Sequence, residues 1–147
     1  MTHRGFTLLL AVLVSSIMLA LGSAIYNIAA KEVILSSSGR DSQYAFYSAD
    51  SGIECALYWD EKQNAFSSTS AATQMTCAGQ TVSMSKSYDV PSQTETTNVS
   101  FTPIPCIDLT VTKQDGATIR TTIQSYGYNT CTASDPRRIE RAIRVQY

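Results

Sequence analysis

Four cysteines and a single histidine are the side chains of this sequence with the most distinctive chemistry. Zinc sites use cysteine or histidine ligands about two to four residues apart. No two cysteines have that spacing, and His3 precedes a long apolar run. We therefore expect no metal and no cofactor, but disulfide bonds formed in an oxidising compartment. The cysteines are Cys55, Cys77, Cys106 and Cys131.

The four cysteines can pair in three ways, and the sequence does not choose among them. We favour Cys55 with Cys77 and Cys106 with Cys131, because neighbours in sequence are the simplest closures. A disulfide typically adds about 2–4 kcal/mol, which matters for a domain with a small core.

The remaining polar residues do not frame an active site. Asp50 and Glu54 are one helical turn apart, but a solvated helix face explains this carboxylate pair more simply. From Phe6 onward there is no histidine, so the commonest general base is missing and we expect no enzyme.

Arginines near the end of the chain raise the question of DNA binding. Arg138, Arg141 and Arg144 could contact single-stranded DNA beside exposed tyrosines. The net charge of −1 provides no overall attraction to nucleic acid. An edge strand kept soluble by its charges is the simpler interpretation, and DNA is the less favoured partner.

An uncharged apolar run from Phe6 to Ala30 is long enough to cross a bilayer, which needs about 20 residues. His3 and Arg4 precede the run, so the positive-inside rule places the start in the cytoplasm and the rest outside. A signal peptide cut after Ala24 would leave Ile25 first, but apolar character continues beyond that point. A plain uncleaved anchor fits the run equally well.

The stretch RGFTLLLAV, from Arg4 to Val12, resembles the cleavage signature of type IV prepilins and type II secretion pseudopilins. The resemblance implies that residues 1–5 are a leader, cut by prepilin peptidase between Gly5 and Phe6, and that Phe6 is N-methylated. It also implies other pilin or pseudopilin subunits as partners, with membrane lipid around the helix before assembly. The implied filament-core residues are Leu8, Leu9, Leu10, Val12, Leu13, Ile17 and Leu21.

Two details refine the resemblance. Most members of the family carry a glutamate where this chain has Leu10, and some subunits near a filament tip also lack it, which favours a minor subunit. The phrase AFYSADSGIECAL resembles a segment of PilX-like minor pilins, with Asp50 in the position of their acid. Gly52 and Cys55 depart from the alanine-rich pattern of that segment.

Helical periodicity continues after the apolar run. Residues 31–59 are predicted to extend the helix to about Trp59, with a weak point at Ser36–Gly39 where it could kink or fray. Arg40, Asp41, Asp50 and Glu54 should lie away from the apolar face. The predicted apolar face consists of Phe46, Ala49, Ile53, Ala56 and Leu57.

Residues 60–147 are predicted to form a β-rich head domain. Residues 64–80 are rich in serine and threonine and are predicted to form a loop. Asp115-Gly116 is predicted to form the turn of a β-hairpin. In the last run, Ile139, Ile143, Val145 and Tyr147 should share one face, with Arg141 as the exception. The predicted strands are 81–88, 98–102, 107–113, 118–126 and 138–147.

The predicted fold is α+β: a long N-terminal helix, membrane-embedded in its first half, packed on an antiparallel sheet of about four strands. The leading hypothesis is a minor pilin or pseudopilin of a type IV pilus or type II secretion pseudopilus. It would reside in the cytoplasmic membrane and then in a surface or periplasmic filament. The alternative is a single-pass, membrane-anchored extracytoplasmic binding domain with no filament role.

Overall fold

A computed structural model describes residues 4–115 and 120–147 of the chain. They fall into two compact units, one ending at Gly39 and the other comprising residues 40–147. Helix α1 spans Arg4–Gln63. The strands are β1 Gln74–Cys77, β2 Gln80–Ser83, β3 Ser85–Asp89, β4 Thr94–Phe101, β5 Cys106–Gln114, β6 Arg120–Tyr128 and β7 Glu140–Gln146.

Helix α1 is longer than its apolar periodicity predicted. It remains α-helical through Ser36–Gly39, the predicted weak point, and continues past Trp59 to Gln63. The next residue, Asn64, adopts a left-handed φ of 47°, a conformation common just after helix ends. Its N–H still donates to the carbonyl of Asp60 at 3.1 Å, and the N–H of Ala65 donates to the carbonyl of Trp59 at 3.0 Å, so these two carbonyls are satisfied at the helix end.

The strands form two antiparallel sheets, which confirms the α+β class but not the number of strands. Five strands in the order β3-β4-β5-β6-β7 make the main sheet, and β1 and β2 form a separate hairpin. The predicted strand 81–88 is divided at Met84, which is buried and donates its N–H to the carbonyl of Thr73 at 2.8 Å. Strand β1 lies in the segment that was predicted to be a loop.

The hairpin of β5 and β6 matches the prediction from its β-branched residues. Their register runs from Cys106 opposite Tyr128 to Gln114 opposite Arg120. Asp115 donates its N–H to the carbonyl of Gln93 at 2.8 Å. The other half of the predicted turn, Gly116, lies outside the described residues.

The core of the second unit lies between residues 45–66 and the inner face of the main sheet. Ala49, Ile53 and Ala56 are buried as predicted, but Phe46 is 48% exposed and Ala45 is buried in its place. Leu57 is half-buried against the core. Small residues face the sheet because the helix approaches it closely. The largest fully buried side chains are Phe66, Phe101, Met75, Leu109 and Ile123.

Candidate functional site

The most unusual surface of the chain is the apolar first half of α1. The described residues contain one helix, α1, that is long and apolar enough to cross a membrane, and none of its most apolar stretch is buried. Because exposing apolar area to water costs about 25 cal/mol per Å², this surface requires lipid or protein around it. The predicted filament-core residues, each at least 51% exposed, are Leu8, Leu9, Leu10, Val12, Leu13, Ile17 and Leu21.

Serines within this apolar helix are satisfied by the helix itself. The hydroxyls of Ser15, Ser16 and Ser23 donate to carbonyls three residues earlier, at 3.0, 2.8 and 2.9 Å. A hydroxyl that bonds to its own backbone places no unpaired polar group in an apolar environment. These serines are therefore compatible with insertion into lipid.

The predicted processing residues lie at the start of α1. The helix begins at Arg4, and the side chain of Phe6 is 70% exposed. Cleavage between Gly5 and Phe6, and methylation of Phe6, remain predictions.

Two disulfides connect distant parts of the second unit, with the favoured pairing. Cys55 of α1 is bonded to Cys77 of β1, with a Cα–Cα distance of 6.1 Å. Cys106 at the start of β5 is bonded to Cys131, which follows β6, with a Cα–Cα distance of 5.3 Å. The first bond links the helix to the small hairpin, and the second closes the end of the main sheet. The predicted pairing is therefore confirmed.

Two glycines allow α1 to lie directly on the main sheet. A Cβ added at Gly127 of β6 would overlap the carbonyl oxygen of Ala45 and the backbone of Ala49. A Cβ added at Gly52 of the helix would overlap side-chain atoms of Ser125 and Ile107. Gly52 therefore has a packing role.

A buried ion pair joins the end of α1 to the sheet. Asp60 accepts from Lys113 of β5 through Oδ1 and from the hydroxyl of Tyr147 through Oδ2, both at 2.7 Å. The side chain of Asp60 is 4% exposed and that of Lys113 15%. Tyr147 also exchanges both backbone hydrogen bonds with Thr121 of β6. One carboxylate thus holds the helix, the centre of the sheet and the final residue together.

The stability of the second unit should fall at alkaline pH because two tyrosines, Tyr128 and Tyr147, have a higher pKa in the folded protein than in the unfolded chain. Burial, and then the hydrogen bond to Asp60, raises the pKa of Tyr147 above its ordinary value of 10.0. Burial, and then a hydrogen bond to Glu140, raises the pKa of Tyr128 to about 12. Both hydroxyls ionise more readily when unfolded, so their contribution is complete below about pH 10 and is lost progressively above it. Denaturation midpoints between pH 8 and 11 should show this fall, and Tyr147→Phe should make it shallower; an unchanged slope would contradict the assignment.

The arginines of the predicted DNA-binding group do not lie on one face. The Nε of Arg141 donates to the Oγ of Ser42 at 2.8 Å, which places Arg141 on the helix side of β7. Arg144 is at an alternate position of β7 and faces the outer side. The guanidinium of Arg138 lies 3.7 Å from the ring centroid of Tyr128. DNA contact remains a prediction, without a continuous arginine stripe to carry it.

The other predicted faces agree in most respects with the structure. Ile143 and Val145 pack against the core from β7. Asp50 is half-buried and Glu54 is exposed on α1, so the sequence-based carboxylate pair lies at the helix surface. The predicted face contained Ala49 and Ala56, but hydrophobic periodicity missed Ala45 and Gly52, which are also buried and complete a row of small residues at helical spacing.

Comparison with known proteins adds no further constraint. No family model matches the chain, and neither a curated protein nor a solved structure matches it. The surfaces described above therefore provide the argument for function.

Proposed function

We propose that this chain is a minor pilin or pseudopilin, a structural subunit processed by prepilin peptidase and assembled into a type IV pilus or type II secretion pseudopilus. The observation that carries the proposal is the composition of α1, Arg4–Gln63. Its first half presents an apolar surface, while its second half is part of a disulfide-linked α+β domain. A subunit of this kind needs a retained helix that exchanges lipid for protein neighbours.

The start of the chain supports processing rather than simple anchoring. A glycine at position 5 gives a peptidase access to an unhindered backbone, and Phe6 opens the apolar helix. The basic residues before it would hold the leader at the cytoplasmic face until it is cut. In this proposal Phe6 becomes the first, N-methylated residue of the mature subunit.

The nature of position 10 supports a minor subunit. In the family that the cleavage signature resembles, the glutamate at this position pairs with the N-terminal amine of a neighbouring subunit, as a charge buried in an apolar core needs a partner. Leu10 cannot form this pair. We therefore place the subunit in a position that does not depend on the pair, at or near the filament tip.

N-terminal sequencing and intact mass of the protein purified from the membrane of its own cells test the proposal. The expected product lacks residues 1–5, starts at Phe6 and carries one added methyl group. Gly5→Val should leave the leader attached because the branched side chain hinders the peptidase. Gly22→Val is the matched control, since an added Cβ there has no atom within 4 Å, and its leader should be removed normally.

Other N-termini would support other functions. A chain that starts at Met1 or Thr2 would favour the anchored binding domain, since that domain needs no processing. A start at Ile25 would indicate a secreted domain and would contradict retention of the helix. Removal of the leader from Gly5→Val would contradict the proposed role of the glycine.

A further inference from the structure

The last strand, β7, is an open edge of the main sheet. The strand order places it at one end, and among the described elements it pairs with β6 alone. Its residues from Glu140 to Ala142 are exposed. An uncovered strand of seven residues without proline is a surface to which another strand can add.

Hydrogen bonds at the end of β7 show which backbone groups are free. Thr121 and Tyr147 donate to each other's carbonyls at 2.8 and 3.0 Å. Such pairs alternate along an antiparallel ladder, so Val145, Ile143 and Arg141 also point their backbone groups at β6. The N–H and C=O groups that point away from the sheet are those of Glu140, Ala142, Arg144 and Gln146.

The charges of β7 are complementary to those of a second copy of the same strand. Glu140 and Arg144 lie at equal distances in sequence on either side of Ala142. In an antiparallel pair centred on Ala142, each Glu140 lies opposite the Arg144 of the other copy. In this register each even-numbered residue lies opposite an even-numbered residue of the other copy. The outward-pointing backbone groups, which belong to the even-numbered residues, therefore meet across the pair. A shift that centres the pair on Arg144 would oppose the two arginines instead.

We propose that β7 pairs with β7 of a second copy of this chain, antiparallel and centred on Ala142, to form one continuous sheet. Two ion pairs between Glu140 and Arg144 fix the register. In the monomer these charges protect an exposed edge, and Glu140 also accepts a hydrogen bond from the hydroxyl of Tyr128. The contact requires neither processing nor a filament, so it stands or falls separately from the proposed function.

Sedimentation equilibrium of the full-length protein in density-matched detergent tests the contact. Segments 40–63 of the two copies would run in opposite directions, and detergent leaves the copies free to adopt this arrangement. Glu140→Arg opposes like charges at both positions and should raise the dimer dissociation constant about tenfold or more. The charge exchange Glu140→Arg with Arg144→Glu should restore it to within about threefold.

Hydrogen–deuterium exchange separates this contact from association through the apolar helix. In dimers, the outward amides of Ala142 and Arg144 should exchange about tenfold or more slowly than in monomers. Ala142→Pro removes one outward N–H without removing a bond to β6, and it should abolish the protection. Glu54→Arg, a charge reversal on the exposed surface of α1, is the matched control and should change nothing. A monomeric wild type, unprotected amides or failure of the charge exchange to restore pairing would each overturn the proposal.

Discussion

Replacing Gly127 with valine should destabilise the second unit by about 3 kcal/mol, the upper end of the usual cost of overpacking. The added Cβ would overlap backbone atoms of Ala45 and Ala49, which cannot move aside by rotating a side chain. The helix would have to move away from β6, and its buried contacts would be lost over several turns. Since small domains are stable by about 5–15 kcal/mol, this is a large fraction of the total.

Urea denaturation monitored by fluorescence measures this effect directly. Trp59 is the single tryptophan of the chain, and its indole N–H donates to the carbonyl of Thr76 at 3.2 Å. Its emission therefore reports on the contact between α1 and β1. Gly39→Ala is the matched control: an added Cβ has no atom within 4 Å, and alanine should stabilise the helix by up to about 1 kcal/mol. An unchanged midpoint for Gly127→Val would mean that the helix does not approach β6 so closely.

The same contact explains why the buried face of the helix was only partly predictable. Hydrophobic periodicity gives weight to large side chains, and it placed Phe46 on the apolar face. Because Gly127 lets the backbone of α1 lie on β6, the space there admits Ala45 and Ala49, and Phe46 remains exposed. Small residues at the spacing of a helix face indicate such an approach, but only once a glycine in the facing strand is known.

The strands differ in how well local sequence specified them. β5 and β6 are rich in β-branched residues and alternate clearly, so their hairpin was predictable. β1 contains Gln74 and Thr76 in a polar neighbourhood, and it pairs only because β2 lies opposite. The break at Met84 depends on a hydrogen bond to Thr73, a contact that no pattern within the strand encodes.

The disulfides and the ion pair show the same contrast between near and distant partners. Cys55–Cys77 and Cys106–Cys131 span 22 and 25 residues, so the rule of sequence neighbours found them. Asp60 and Lys113 are 53 residues apart, and nothing in their local sequences connects them. They meet because the last turn of α1 lies against β5 in the folded domain.

Replacing Asp60 with alanine should have the second large effect, a loss of about 3–5 kcal/mol. The change leaves the Lys113 ammonium, at 15% exposure, without its counter-charge and the Tyr147 hydroxyl without its acceptor. Most of the cost arises from the charge left behind, because the loss of water around the Lys113 ammonium is no longer compensated by the Asp60 carboxylate. The pair Asp60→Leu with Lys113→Met removes both charges and should recover part of the loss, since Tyr147 still lacks its acceptor and the buried Glu95 loses the cation opposite it.

Glu95 is a second carboxylate available to Lys113, and the experiment has to distinguish its contribution from that of Asp60. It is buried and lies directly opposite Lys113 across the β4–β5 ladder. If Lys113 turns to Glu95 when Asp60 is lost, Asp60→Ala with Glu95→Gln should be more destabilised than the sum of the single changes. Denaturation midpoints of these disulfide-intact variants measure the coupling. A loss below about 1 kcal/mol in both Asp60→Ala and this double variant would show that the buried pair does not hold the helix to the sheet.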